Sequence, residues 1–225
     1  MSGRIPVLLA WSGGKDAAWT LHVLRQSATH QVVGLLSTTS DGRSSMQGVR
    51  VEVLHAQAAA AGLPLLEVEL PPGCDNATYG QAMAEALEAA RMRWPGLRTA
   101  AFGDLLLEDI RAWRRQQLEA IGWDLLTPLF RFDTAMLARR MIEAGLQARL
   151  CCVDTRRLDA GLAGRSFDAA LLEALPAEVD PCGEHGEFHT CVWAGPMFEG
   201  PLDLVPGATT TGTDGFARTD YSLAG

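Results

Sequence analysis

The segment Ala10-Trp11-Ser12-Gly13-Gly14-Lys15-Asp16-Ala17 constrains the fold of this chain most, because it ends an apolar run and opens a helical pattern. Ile5, Val7, Leu8, Leu9 and Ala10 read as a buried strand. Ala17, Leu21, Leu24 and Ala28 recur at helical spacing, so the glycines fall at a strand-to-helix turn. Two glycines let backbone approach an anion closely, and a helix start presents unpaired N–H groups at the positive end of its dipole. Ser12 adds a hydroxyl and Lys15 a point charge. The arrangement predicts a phosphate cradle formed by Ser12, Gly13, Gly14, Lys15, Asp16 and Ala17. It is not a Walker A loop, which needs four residues between its first glycine and the Gly-Lys-Ser/Thr end. Nor is it the dinucleotide fingerprint, which needs a third spaced glycine.

Strand and helix patterns then alternate, which predicts a doubly wound, mainly parallel α/β sheet. Val32 to Leu36 is a second apolar strand, followed by a polar loop from Thr38 through Gly48. A helix from about Arg50 to Ala61 leads to the half-exposed strand Leu66–Leu70, and a helix marked by Met83, Leu87, Ala90 and Trp94 leads to a short strand, Thr99–Phe102. Helices near Glu108–Ile121 and Asp133–Ala144 flank an apolar strand at Leu125–Leu129. We place the boundary after this strand, giving an α/β domain with the phosphate cradle over 1–132 and a smaller α+β domain over 133–225. The second domain ends in a hairpin turning at Asp214-Gly215.

Ligands of such sheets sit beyond the carboxyl ends of the strands. The Ser12 loop, the Thr38–Gly48 loop and Gly103-Asp104 are therefore expected at one rim. Asp104 could hold magnesium or orient a substrate, or it could cap the following helix.

The formal charge is -8, with no global basic field for nucleic acid, leaving Arg111, Arg114 and Arg115 as the best local basic patch. No apolar run approaches a membrane span in length, and five cysteines suit a reducing, cytoplasmic compartment. Cys182, His185, His189 and Cys191 have metal-ligand chemistry, although His189 and Cys191 alternate on an expected strand, unlike usual zinc spacing.

The Ser12–Ala17 loop resembles the SGGxDS loop of the PP-loop ATP pyrophosphatases, with Ala17 replacing its final serine. Phe102 to Arg111, with Pro128-Leu129-Phe130 and Asp133-Thr134, resembles the GDIxLEDxR…PLW…DT pattern of the diphthine–ammonia ligase family. Gln47 to Arg50, Ala56-Gln57-Ala58, and Leu158 with Leu162, Gly164 and Arg165 are similar to further parts of that family. Asp180 to Thr190, containing Gly183-Glu184-His185-Gly186-Glu187-Phe188, is similar to its GExGEF signature. The Ala- and Arg-rich composition, with Lys15 as the single lysine, suits a bacterial relative.

The resemblance implies an adenine-nucleotide α-hydrolase-type domain and ATP-driven amidation. A carboxylate would attack the ATP α-phosphate, and ammonia would displace AMP from the acyl-adenylate. ATP and magnesium would be required. Lys15, Asp104, Glu184 and Glu187 would be the catalytic residues, and Asp104 the metal ligand. Thr38, Gly48 and Gly103 would join the Ser12–Ala17 loop around the nucleotide. The carboxylate acceptor would be a small metabolite or a protein, and a homodimer is compatible with these features. Two other readings are a tRNA-modifying PP-loop enzyme, disfavoured by the acidic charge and lack of Cys-x-x-Cys, and an adenine-nucleotide sensor without turnover.

Overall fold

The computed structural model describes residues 3–225. The first strand, β1 (Ile5–Ala10), buries Val7 and Leu9 on one face and Leu8 on the other, as a strand at the centre of a parallel sheet must. It leads through the glycine turn into α1 (Lys15–Arg25). The chain continues through β2 (His30–Ser40), β3 (Arg43–Ser44), α2 (Val51–Ala60), β4 (Leu65–Glu69), α3 (Asn76–Arg93), β5 (Thr99–Ala101), α4 (Glu108–Ala120) and β6 (Asp124–Leu126).

The parallel strands lie in the order β4-β2-β1-β5-β6, with β3 paired antiparallel to the far end of β2. Chain order therefore reverses direction between β1 and β5. This is the topological switch point at which doubly wound sheets open a crevice. Gly103, just past β5, lies against the first turn of α1: a Cβ there would sit 2.9 Å from the backbone carbonyl of Asp16. Only glycine permits that approach.

The Thr38–Gly48 segment differs from the expected loop. Thr38 and Thr39 extend β2, pairing with Val68 and Glu69 of β4, as β-branched residues favour. Asp41 and Gly42, at φ 49° and 71°, then form the two-residue hairpin into β3.

After α5 (Thr134–Glu143), a second, antiparallel sheet is built from β7 (Gln147–Asp154), β8 (Phe188–Ala194), β9 (Leu204–Thr211) and β10 (Phe216–Leu223), in the order β8-β7-β10-β9. The short helix α6 (Ala169–Ala174) lies between β7 and β8. One apolar cluster runs from Val7, Leu9 and Leu21 through Val53 and Leu54 to Leu150, Phe188 and Val192, so the two sheets share a core across α1 and α2. Among the described residues, no helix is long and apolar enough to cross a membrane.

Candidate functional site

A cleft of about 910 Å3 opens where the loops after β1 and β5 meet the Cys182–Thr190 segment of the second sheet. The loop after β1 is fastened from behind. Gln57 of α2, fully buried, accepts from Trp11 Nε1 (2.9 Å) and donates to the carbonyls of Gly13 (3.1 Å) and Val192 (2.7 Å). The Gly13 carbonyl also accepts from Val192 N–H at 3.0 Å. Gly13 has φ 83°, and a Cβ on it would lie 2.9 Å from Leu54. Gly14 faces Gln47 in the same way. These two glycines therefore serve close packing behind the loop, while Ser12, Lys15, Asp16 and Ala17 line the cleft.

Lys15 is not an exposed loop cation. Its side chain is 3% exposed, with Nζ 2.9 Å from Asp16 Oδ2, a further hydrogen bond to the Cys182 carbonyl, and the Phe188 and Phe167 rings at 5.5 and 5.7 Å. Burial is the largest influence and works against the ammonium, but Asp16, Cys182 and Glu184 together outweigh it and hold the Lys15 pKa above its ordinary value. The Lys15 amide donates to Thr190 Oγ1 (3.1 Å), so the second sheet takes one of the free N–H groups at the start of α1. The next amides belong to Asp16 and Ala17, at the cleft.

Asp104 lies on the opposite wall, 15% exposed and 3.5 Å from Arg114 Nε. Arg114 stacks on Phe102 at 4.2 Å. Burial raises the Asp104 pKa, opposed by Arg114 and Arg111. Asp104 is not a helix cap, since Leu107 holds that position in α4. Arg111 is likewise turned inward, donating to Thr127 and stacking on Phe130, so the three arginines of α4 do not form one open basic patch.

The two glutamates of the Gly183–Phe188 turn part company. Glu184 lines the cleft and its Oε1 accepts the amides of Leu105 and Leu106, both at 3.0 Å, joining the second sheet to the loop after β5. Burial raises its pKa, opposed by those two bonds. Glu187 does not line the cleft. It is fully buried, 3.0 Å from Arg157, and accepts the amides of Asp180 and His185. This carboxylate closes the turn, set back from the cleft in which it was expected. Gly48 is also displaced from the site: it is exposed and borders a neighbouring cavity, whereas Thr38 and Gly103 line the cleft.

Asp16 Oδ1 and Ser40 Oγ are buried here without a hydrogen-bond partner, and Asp104 Oδ2 and Arg114 Nε have only their 3.5 Å ion-pair contact with each other, which is not a formed hydrogen bond. Buried groups of this kind are ordinarily satisfied, so their convergence makes this cleft the candidate ligand site. The cleft also has an apolar lining, with Leu36, Leu70, Met83 and Phe102.

Residues 5–124 match the family model for the diphthamide synthase N-terminal domain, and residues 133–217 match that for its C-terminal domain. The chain belongs to the diphthamide synthase family. It is 26% identical over 214 residues to the diphthine–ammonia ligase of Schizosaccharomyces pombe, an alignment covering 86% of this chain and 35% of that protein. The chain thus spans about a third of the length of that curated relative.

Several residues of this family member's site carry no motif chemistry of their own. Asp180 accepts the amides of Cys182 and Glu184 and the Thr134 hydroxyl. Gln47 accepts the Thr190 amide at 2.9 Å. Gln57 falls in the Ala56-Gln57-Ala58 resemblance, and its place on the otherwise apolar face of α2 is a second sequence signal. Cys182 and Cys191 are buried thiols, with the Cys191 pKa pushed by burial up to about 12. Among the described residues, no group of three or more His, Cys, Asp or Glu is disposed to hold a metal ion.

His189 is held neutral: burial, reinforced by Lys15 and Arg218, lowers its pKa to about 4. A depressed histidine pKa contributes stability above the unfolded value near 6.5, and this is lost as pH falls toward about 4. An NMR titration should find the His189 midpoint well below the ordinary histidine value near 6.5; a midpoint at 6.5 or above would place it in open solvent.

Proposed function

We propose that this protein is an ATP-dependent, amide-forming ligase that adenylates a carboxylate and transfers ammonia to it. The observation carrying this reading is a cleft at the sheet's switch point, beside the start of α1, onto which the unpartnered Asp16 Oδ1 and Ser40 Oγ and the loosely paired Asp104 and Arg114 converge. Phosphates suit the amides at the start of α1 and the Ser12 hydroxyl. The apolar wall of Leu36, Leu70, Met83 and Phe102 suits the purine face.

The charges lining the cleft are Lys15 and Arg114 against Asp16, Asp104 and Glu184. Two cations against three carboxylates cannot alone offset a triphosphate. Magnesium fits this donor set, because it binds through one or two carboxylates together with phosphate oxygens and water. Asp16, with an unpartnered oxygen, and Asp104, held only by a 3.5 Å ion pair, would hold it, and it would offset charge on the departing pyrophosphate.

The chain's own residues do the rest. Gln57 and Val192 fix the loop, so its donors are oriented before substrate arrives. Lys15 supplies positive potential from beneath. The acceptor carboxylate forms a bond to the α-phosphorus as the bond to the bridging oxygen breaks, releasing pyrophosphate. Ammonia then adds at the acyl carbon, AMP leaves, and one proton is released to solvent.

Incubation with magnesium, ammonium and α-labelled ATP, with and without cell extract, tests the reaction. AMP and pyrophosphate that increase with extract are the expected products. ADP, or tight binding without turnover, would overturn the ligase reading in favour of a phosphohydrolase or a sensor. Asp104→Asn should raise the magnesium concentration at half-maximal rate by roughly tenfold, the loss of one charge-assisted contact. An unchanged magnesium dependence would remove Asp104 from the metal.

A further inference from the structure

A second cavity, of about 670 Å3, lies between the Arg43–Val49 segment after the β2 hairpin and the β7-β10-β9 side of the antiparallel sheet. It adjoins the nucleotide cleft: Ser45, Met46, Gln47 and His189 line both. Its size is in the range of sites that take whole organic ligands. Tyr221, 4% exposed, lines it, and the Tyr221 hydroxyl is buried without a hydrogen-bond partner.

The charge balance differs from that of the cleft. Its ionised lining is Arg43 and Arg218 against Asp220 alone. Asp220 is bound by both Arg43 (2.8 Å) and Arg50 (2.6 Å), and these hydrogen bonds hold its carboxyl well below the usual carboxylate range. Asp214 takes two nitrogens of Arg218 from the side. In a chain of net charge -8, this cavity is a place where an organic anion meets no excess of negative charge. The wall toward the cleft has neutral side chains, and Met46, 61% exposed, is a flexible one.

Resting on the ligase reading, we infer that this second cavity holds the carboxylate-bearing substrate, its carboxyl group directed past Gln47 and His189 toward the nucleotide. The geometry gives the two reactants separate chambers that meet at one wall. Nucleotide binding then does not depend on the acceptor's chamber, and acceptor specificity is set by residues of the second sheet. The shared chemistry is a carboxylate; its source is either a free metabolite or a side chain of another protein presented at the cavity mouth.

Thr210→Trp and Ala208→Trp test this. Both residues line the cavity from β9, a strand exposed along most of its length, and neither lines the cleft. Each variant is assayed for ATP binding by calorimetry and for AMP formation with cell extract separated by ultrafiltration into metabolites and proteins. The expected result is ATP affinity within about twofold of wild type and AMP formation at least about tenfold lower, in whichever fraction supports the wild type. Two folded variants with wild-type AMP formation would overturn the acceptor site while leaving the ligase intact. Wild-type protein that forms no AMP with either fraction would overturn the ligase reading, and this inference with it.

Discussion

Lys15→Met is expected to lower the unfolding free energy by about 3–5 kcal/mol, the cost of stranding one member of a buried ion pair. Methionine replaces most of the volume and keeps contact with Phe167 and Phe188, so the loss is mainly electrostatic. What it removes is the ammonium that satisfies Asp16 Oδ2 and the Cys182 carbonyl together. Asp16 Oδ1 is already unpartnered, and the variant leaves this carboxylate, whose side chain is 23% exposed, without its cation. Against a total of about 5–15 kcal/mol, this is a large fraction of the fold's stability. The double variant Lys15→Met/Asp16→Asn should recover at least half of the loss in urea unfolding, because removing both charges removes the penalty. ATP affinity measured with magnesium on that stable double variant should still be down by roughly tenfold, since the cleft has lost one of its two cations together with one of the two carboxylates proposed to hold magnesium. Recovery of affinity with stability would limit Lys15 to holding the turn in place.

The parallel sheet is legible in the sequence because its central strands are buried on both faces, and continuous apolar runs such as Val7–Ala10 have few other uses. The start of α1 is legible for a similar reason: two glycines between a strand and a helix pattern admit few geometries. Thr38–Gly48 is harder to read, because threonine and serine serve strands and loops alike. Only the Asp41-Gly42 pair signals the hairpin. At the site, residue type identifies which groups can react, but direction comes from contacts distant in sequence. Lys15 appears in the chain as a lone cation on a glycine loop. Its inward course is set by Cys182 and Phe188, more than 160 residues away. Gln57 and Thr190 position the loop through hydrogen bonds that no local pattern predicts.

Glu187→Ala is the second substitution expected to have a large effect, of about 3 kcal/mol or more, because three partners lose their acceptor at once. Those partners are the Asp180 amide, the His185 amide and Arg157. Arg157 is 40% exposed and can turn to solvent, so the cost falls mainly on the turn's backbone. Glu187→Gln is isosteric and keeps one oxygen acceptor, so its cost should be smaller, about 1–2 kcal/mol. A thermodynamic cycle with Arg157→Met should return a coupling of about 1 kcal/mol or more, as for other hydrogen-bonded pairs with one buried member. The decisive quantity is AMP formation per folded molecule in Glu187→Gln, measured at a temperature where the variant is fully folded. Since Glu187 lies outside the cleft, that rate should stay within about threefold of wild type, near-neutral by the standard of groups that touch the transition state. A hundredfold loss at full stability would mean that the buried carboxylate reaches the reacting groups after all. Retention would leave Glu184, which lines the cleft and bridges the two sheets, as the glutamate of this turn placed to meet a substrate.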